Sequence, residues 1–123
     1  MKKLMIPIME SNGENSIISD HFGRAPYFAV IEISDNNFKI ITIVENVGEH
    51  FGGHGKAATL ILEQKPDMLI VKGMGPRALQ IFNDNGIGVL STEASIVKEA
   101  IGSYLDNRLT NLVEPCEDSR HHP

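Results

Sequence analysis

The sequence predicts a single α/β domain built on a mixed sheet, and three observations carry that expectation. Over 123 residues, 41% of them hydrophobic, there is material for one ordinary core and too little for two. The first half carries short apolar runs of strand type, whereas from Gly55 onward the apolar residues recur at helical spacing between further apolar runs. Proline and glycine stand where one pattern gives way to the next. The element order they imply is βββαβαβα.

Each element has its own warrant. "KLMIPI" is a short apolar run and the first strand. "YFAVIEI" and "FKIITIVE" are rich in β-branched and aromatic residues and are joined by a hairpin closed at Asp35-Asn36-Asn37. Ala57, Leu60 and Ile61 share one helical face, and Pro66 stops that helix after Lys65. "DMLIVKG" is a continuous apolar strand of the kind covered on both faces. Pro76 suits the first position of a second helix, which Asn85-Gly86 closes. After the strand "IGVLST", Thr92 is placed to cap a third helix with Val97, Ile101, Tyr104 and Leu105 on one face. Three antiparallel strands followed by parallel strands with right-handed crossovers make a mixed five-stranded sheet of ribonuclease H-like order.

Composition narrows the function classes. The 16 acidic against 11 basic residues give a net charge of -5, which disfavours non-specific binding to nucleic acid or to a membrane surface. "MKKLMIPIM" starts like a leader, but Pro7 and the polar "ESNGENS" break the apolar run, so it reads as a strand. The lone Cys116 leaves no intrachain disulfide, and no run reaches transmembrane length; a reducing cytoplasm is the expected setting. Residues 1–106 form the expected domain. Residues 107–123, ending "EPCEDSRHHP", form an expected flexible polar tail.

Sites in such sheets form where loops leave strand ends and helices begin. Three glycine-rich loops qualify: "SDHFGRAP", "GEHFGGHGK" and "KGMGPRA". His50 and His54 are four residues apart, yet Gly52-Gly53 between them makes a loop the better reading than a helix. The stretch also departs twice from a phosphate loop, with His50 in place of the leading glycine and Ala57 in place of the magnesium-binding hydroxyl. What remains is a glycine-rich helix start whose free N–H groups favour an anion. Gly73 and Gly75 allow close backbone approach at the second helix start, where Arg77 opposes the helix dipole unless it faces an anion or lies along the surface. Lys56 has the same two readings. Arg24 is either free for a ligand or paired with Asp20, and His21 either faces a ligand or bonds a nearby backbone group. Taken together, His21, His50, His54, Arg24, Arg77 and Lys56 make a cationic, imidazole-bearing cleft on an acidic protein.

"SDHFGRAPYF", "HFGGHGKAA" and "GMGPRA" together resemble the dinitrogenase iron-molybdenum cofactor biosynthesis family, the NifX-like domains also found at the end of larger cofactor-assembly proteins. The resemblance spans about residues 1–105, and the triple motif is far more specific than a lone glycine-rich loop. It implies a ribonuclease H-like fold and the binding or carrying of iron-sulfur-type cofactor precursors. His21, Phe22, Gly23 and Arg24 match its first motif; His50, Gly52, Gly53 and Gly55 its second; Gly73, Gly75 and Arg77 its third. With that cargo, His50 and His54 become the preferred metal ligands, His21 a third ligand or a donor behind them, and Arg24 with Lys56 and the glycine backbones the charge balance. Cys116 is a ligand only if the tail folds over the cleft. The expected partners are an anionic metal cluster and cofactor-assembly proteins.

A non-catalytic carrier is therefore the favoured class. A protein-interaction or regulatory module using the same cleft is the alternative. A metal-dependent hydrolase ranks third, because the first strand offers no internal acid and Glu32, Glu45 and Asp67 read as solvent-facing or strand-start residues.

Overall fold

The computed structural model of the chain describes residues 2–46 and 54–112, with the side chains of residues 54–56 excepted. Its strands are β1 (Lys2–Ile8), β2 (Tyr27–Ser34), β3 (Asn37–Glu45), β4 (Met68–Val71), β5 (Gly88–Ser91) and β6 (Thr110–Asn111). Its α-helices are α1 (His54–Gln64), α2 (Pro76–Asp84) and α3 (Val97–Leu105). The strands form one mixed sheet in the order β3-β2-β1-β4-β5-β6. β1 lies antiparallel to β2 and parallel to β4, β4 is parallel to β5, and the two outer strands β3 and β6 run antiparallel to their neighbours.

The sheet's alternation divides the core in two. Met5, Phe28, Val30, Leu69, Val71 and Val89 face the side covered by Ala57, Ala58 and Ile61 of α1 and by Leu79 and Phe82 of α2. Leu4, Ile6, Ile8, Ile31, Ile70 and Leu90 face the other side, covered by Val97, Ala100 and Ile101 of α3. Central β1 is apolar on both faces from Leu4 to Ile8, all fully buried, as a strand between two helical layers must be. The first helix ends as expected: Lys65 takes a left-handed φ of 54° and the Lys3 ammonium donates to the Gln64 carbonyl at 2.8 Å. β1 and β4 are also stitched at that end, where Asp67 N–H donates to Lys3 O and Lys3 N–H donates to Asp67 Oδ2, both at 2.8 Å.

Three expectations are corrected. The sheet has six strands rather than five, because Thr110–Asn111 pairs with β5 and Leu112 N–H donates to Val89 O; this strand falls within the stretch read from sequence as tail. Thr92 does not cap α3. Its hydroxyl accepts from Ala94 N–H at 3.1 Å, and the next residues are held extended by the bridge between Ile17 and Ile96 and by the bond from Ile18 N–H to Ser95 O, so the helix starts only at Val97. The hairpin turn uses Asp35 and Asn36, and Asn37 already pairs with Ser34. Among the described residues, no helix is long and apolar enough to cross a membrane.

Candidate functional site

All three motif loops leave one end of the sheet. Ile8 at the end of β1 lies opposite Tyr27 at the start of β2, which lies opposite Glu45 at the end of β3; β4 and β5, parallel to β1, finish at the same end. The first motif occupies the turn into β2, the second follows β3 and enters α1, and the third joins β4 to α2. The convergence follows from topology: an antiparallel meander and a parallel crossover pair place these particular connections at a common edge.

The first motif folds as a short 3-10 turn, Phe22–Arg24. Two buried side chains hold it from below. Phe22 is 5% exposed and its ring packs against Phe28, centroid to centroid 5.7 Å, and edge-on against Phe82 at 5.5 Å. Its side chain therefore serves the loop as an anchor in the core. Ser19, also buried, closes the entry: its hydroxyl donates to His21 O at 3.0 Å and accepts from His21 N–H at 3.2 Å. With backbone and core engaged in this way, His21 and Arg24 are left exposed at the loop surface.

Asn46, not singled out in the sequence, ties this loop to the end of β3. It is 3% exposed; its N–H donates to Pro26 O at 2.9 Å, and its side-chain Nδ2 donates to Ala25 O at 2.9 Å and more weakly to Gly23 O at 3.4 Å. Two carbonyls facing the amide fix its orientation, since a flipped Oδ1 would meet acceptors. Oδ1 is left buried without a partner among the described residues, at the point where the chain enters the second motif. Sequence reading missed Asn46 because an asparagine in a polar connection reads as turn chemistry, and nothing local distinguishes a buried one.

The third motif touches the first. The Lys72 ammonium lies 3.5 Å from Asp20 Oδ1, so Asp20 pairs with Lys72 and not with Arg24. Gly73 packs beside the same residue, since a Cβ there would sit 3.8 Å from Asp20 O. Gly75 is the N-cap of α2 with φ -68°, no side chain caps that helix start, and a Cβ on Gly75 would meet nothing within 4 Å. Neither glycine is demanded by its own backbone. Arg77 is exposed in the first turn, where no acidic side chain accompanies it, and neither Arg24 nor Arg77 joins an ion pair among the described residues.

Of the second motif, His54 opens α1, with Gly55 and Lys56 in the same helix. His50, Gly52 and Gly53 lie outside the described residues, as do Cys116, His121 and His122 of the tail. Helix α1 packs against the Phe22–Arg24 turn, and Ala57 and Ala58 at the end of the second motif share a core cluster with Phe22 of the first. Among the described residues, no three His, Cys, Asp or Glu side chains are grouped to hold a metal ion. The described part of the site thus supplies exposed cations, a histidine and open backbone.

The same architecture occurs in known proteins. The apo form of the orange protein from Desulfovibrio gigas superposes with a TM-score of 0.79 at 24% identity, over 94% of this chain and 96% of that one. A Thermotoga protein of the DUF35 family, solved by NMR, gives 0.74 at 25% identity over 94% and 99%. An uncharacterised protein of Methanocaldococcus jannaschii is 31% identical over 112 residues, 89% of this chain and 90% of its own length. The family model described as dinitrogenase iron-molybdenum cofactor matches residues 2–107, so a single family accounts for nearly all of the described fold and for all three motif loops. The chain belongs to the dinitrogenase iron-molybdenum cofactor family.

Proposed function

We propose that the protein binds and carries an anionic iron-sulfur-type cofactor or precursor of the iron-molybdenum cofactor kind, in the cytoplasm and without catalysing a reaction. The observation that carries this reading is the convergence of the three motif loops at one sheet end, with loops one and three in contact through Asp20, Lys72 and Gly73. The strand order β3-β2-β1-β4-β5 supports a ribonuclease H-like scaffold beneath them.

The cargo is a metal-sulfide anion, and the donor set suits temporary holding. Imidazole from His50 and His54, with His21 as a third ligand or a donor behind them, binds iron more weakly than a four-thiolate cage, which a chain with one cysteine has no means to build. Arg24, Lys56 and Arg77 offset cluster charge, and the backbone at Gly23, Gly52, Gly53, Gly55, Gly73 and Gly75 permits close approach by N–H donors. The open start of α2 adds its dipole. Phe22 contributes by fixing the loop that carries His21 and Arg24. Cys116 is the conditional ligand. β6 runs antiparallel to β5 and so heads away from the motif end, and Leu112 already lies beside Val89; a thiolate four residues further on would have to double back.

Anaerobic reconstitution with iron and sulfide tests the reading. The expected product is coloured and keeps its iron through desalting, and the paired substitution His50→Ala, His54→Ala loses most of it. A colourless, iron-free protein after careful titration overturns the carrier function, and full retention by the double variant removes those two ligands.

A further inference from the structure

We infer that the protein carries a docking surface for a partner protein whose contact segment combines apolar side chains with Lys or Arg, centred on Met9 and Ile17. Among the described residues, three large hydrophobic side chains are markedly exposed, and two of them, Met9 at 50% and Ile17 at 47%, are adjacent. They are held side by side by the bond from Met9 N–H to Ile17 O at 2.8 Å. Ile17 also bridges to half-buried Ile96 on the segment before α3, which extends the apolar row. These residues belong to a small ladder fixed on every side. Ile8 bridges to Ile18, Ile18 N–H donates to Ser95 O, and Val97 N–H donates to Ser16 O. A rigid backbone that presents isoleucine and methionine outward incurs little ordering entropy when a partner covers them.

The charge around the row selects the partner. Residues 9–19 and 92–99 contain Glu10, Glu14, Glu93 and Glu99 against the single base Lys98, and Asp20 just beyond them is paired with Lys72. Glu10 and Glu14 stand in the loop that the Met9–Ile17 bond closes, and Glu99 is held at the ladder by accepting from Ser95 N–H at 3.3 Å. An apolar centre with a carboxylate rim repels a second copy of itself and complements a basic amphipathic segment. The ladder runs directly into Ser19 and Asp20, the start of the first motif loop, so a partner seated there stands beside the candidate cleft. The surface is independent of what the cleft carries.

The test uses two synthetic amphipathic helical peptides with identical leucine positions, one bearing lysine and the other glutamate at the polar positions, titrated into the isotopically labelled full chain and followed by NMR. The lysine peptide is expected to shift the signals of Met9, Ile17 and Ile96, to bind more weakly as salt is raised, and to lose affinity by on the order of tenfold in the double variant Met9→Ser, Ile17→Ser. Both substitutions fall on exposed side chains, so unchanged thermal unfolding verifies that the variant is folded. Equal binding of the two peptides, shifts located elsewhere, or undiminished affinity in the double variant overturns the proposal. Concentration-dependent self-association abolished by Ile17→Ser overturns it too, because the occupant is then a second copy.

Discussion

Phe22 separates two roles that the sequence alone leaves merged, and its truncation gives a number for each. The side chain is 5% exposed and meets Phe28 and Phe82 at centroid distances of 5.7 and 5.5 Å. Removing a buried phenylalanine ring costs about 3–5 kcal/mol from lost transfer energy and the cavity left behind. Because Phe22 lies on a short 3-10 turn at the edge of the core rather than inside a strand, the lower end applies, about 3 kcal/mol for Phe22→Ala. Phe22→Leu keeps most of the volume and loses the ring geometry, for roughly 1–1.5 kcal/mol. A domain with about 5–15 kcal/mol of stability survives both changes, so urea unfolding followed by far-ultraviolet circular dichroism is a valid assay. The midpoint should fall in the order parent, leucine, alanine, with little change in slope. A cycle with Phe82→Leu should show a coupling of about 0.5 kcal/mol or more. If Phe22→Ala shifts stability by less than about 1 kcal/mol while iron retention collapses, the ring contacts cargo and the anchoring argument is wrong.

Other expectations follow from the same contacts. Asn46→Ala strips the donor from Ala25 O and Gly23 O but also removes the unpartnered Oδ1, so the net loss should be about 1–2 kcal/mol; Asn46→Asp, which points acceptors at acceptors, should be worse than alanine, and the reverse order in urea unfolding would contradict the assigned amide orientation. Gly75→Ala meets no atom within 4 Å at an ordinary φ but replaces an N-cap glycine with a poorer capping residue, so it should lower stability by no more than about 1 kcal/mol yet reduce iron retention after reconstitution; intact retention would mean that backbone approach at Gly75 is not used. Lys72→Met breaks a pair whose aspartate is 76% solvent-exposed, so unfolding should move by no more than about 0.5 kcal/mol, and a larger drop in the melting curve would show that the pair organises both loops. Truncation after Leu112 should leave unfolding unchanged, whereas truncation after Arg108 removes β6 and the Leu112 packing and should cost about 1–3 kcal/mol; equal stability of the two would make β6 dispensable.

The sequence by itself determined the period of each element, its punctuation and the three motif loops, because these are local properties. Pro66 and Pro76 bound helices whatever surrounds them, and the apolar spacing of Ala57, Leu60 and Ile61 or of Val97 and Ile101 selects a buried face on any sheet. The common sheet end of the loops was legible as well, since an antiparallel meander followed by parallel crossovers admits few arrangements. Tertiary structure alone decided the partners. Thr92 had the right chemistry for a cap, but long-range pairing of residues 95–97 with 16–18 held its chain extended and moved the helix start to Val97. Thr110 and Asn111 carry only a weak strand signal, one β-branched residue beside an asparagine, and became a strand because β5 offered an open edge. Asp20 had Arg24 close in sequence and paired instead with Lys72, which the fold brings to it. Asn46 acquired its role only when burial removed water and left its amide facing the carbonyls of Gly23 and Ala25. In each case a weak local preference, worth about 1 kcal/mol, gave way to hydrogen bonds and burial that exist only once distant segments have met.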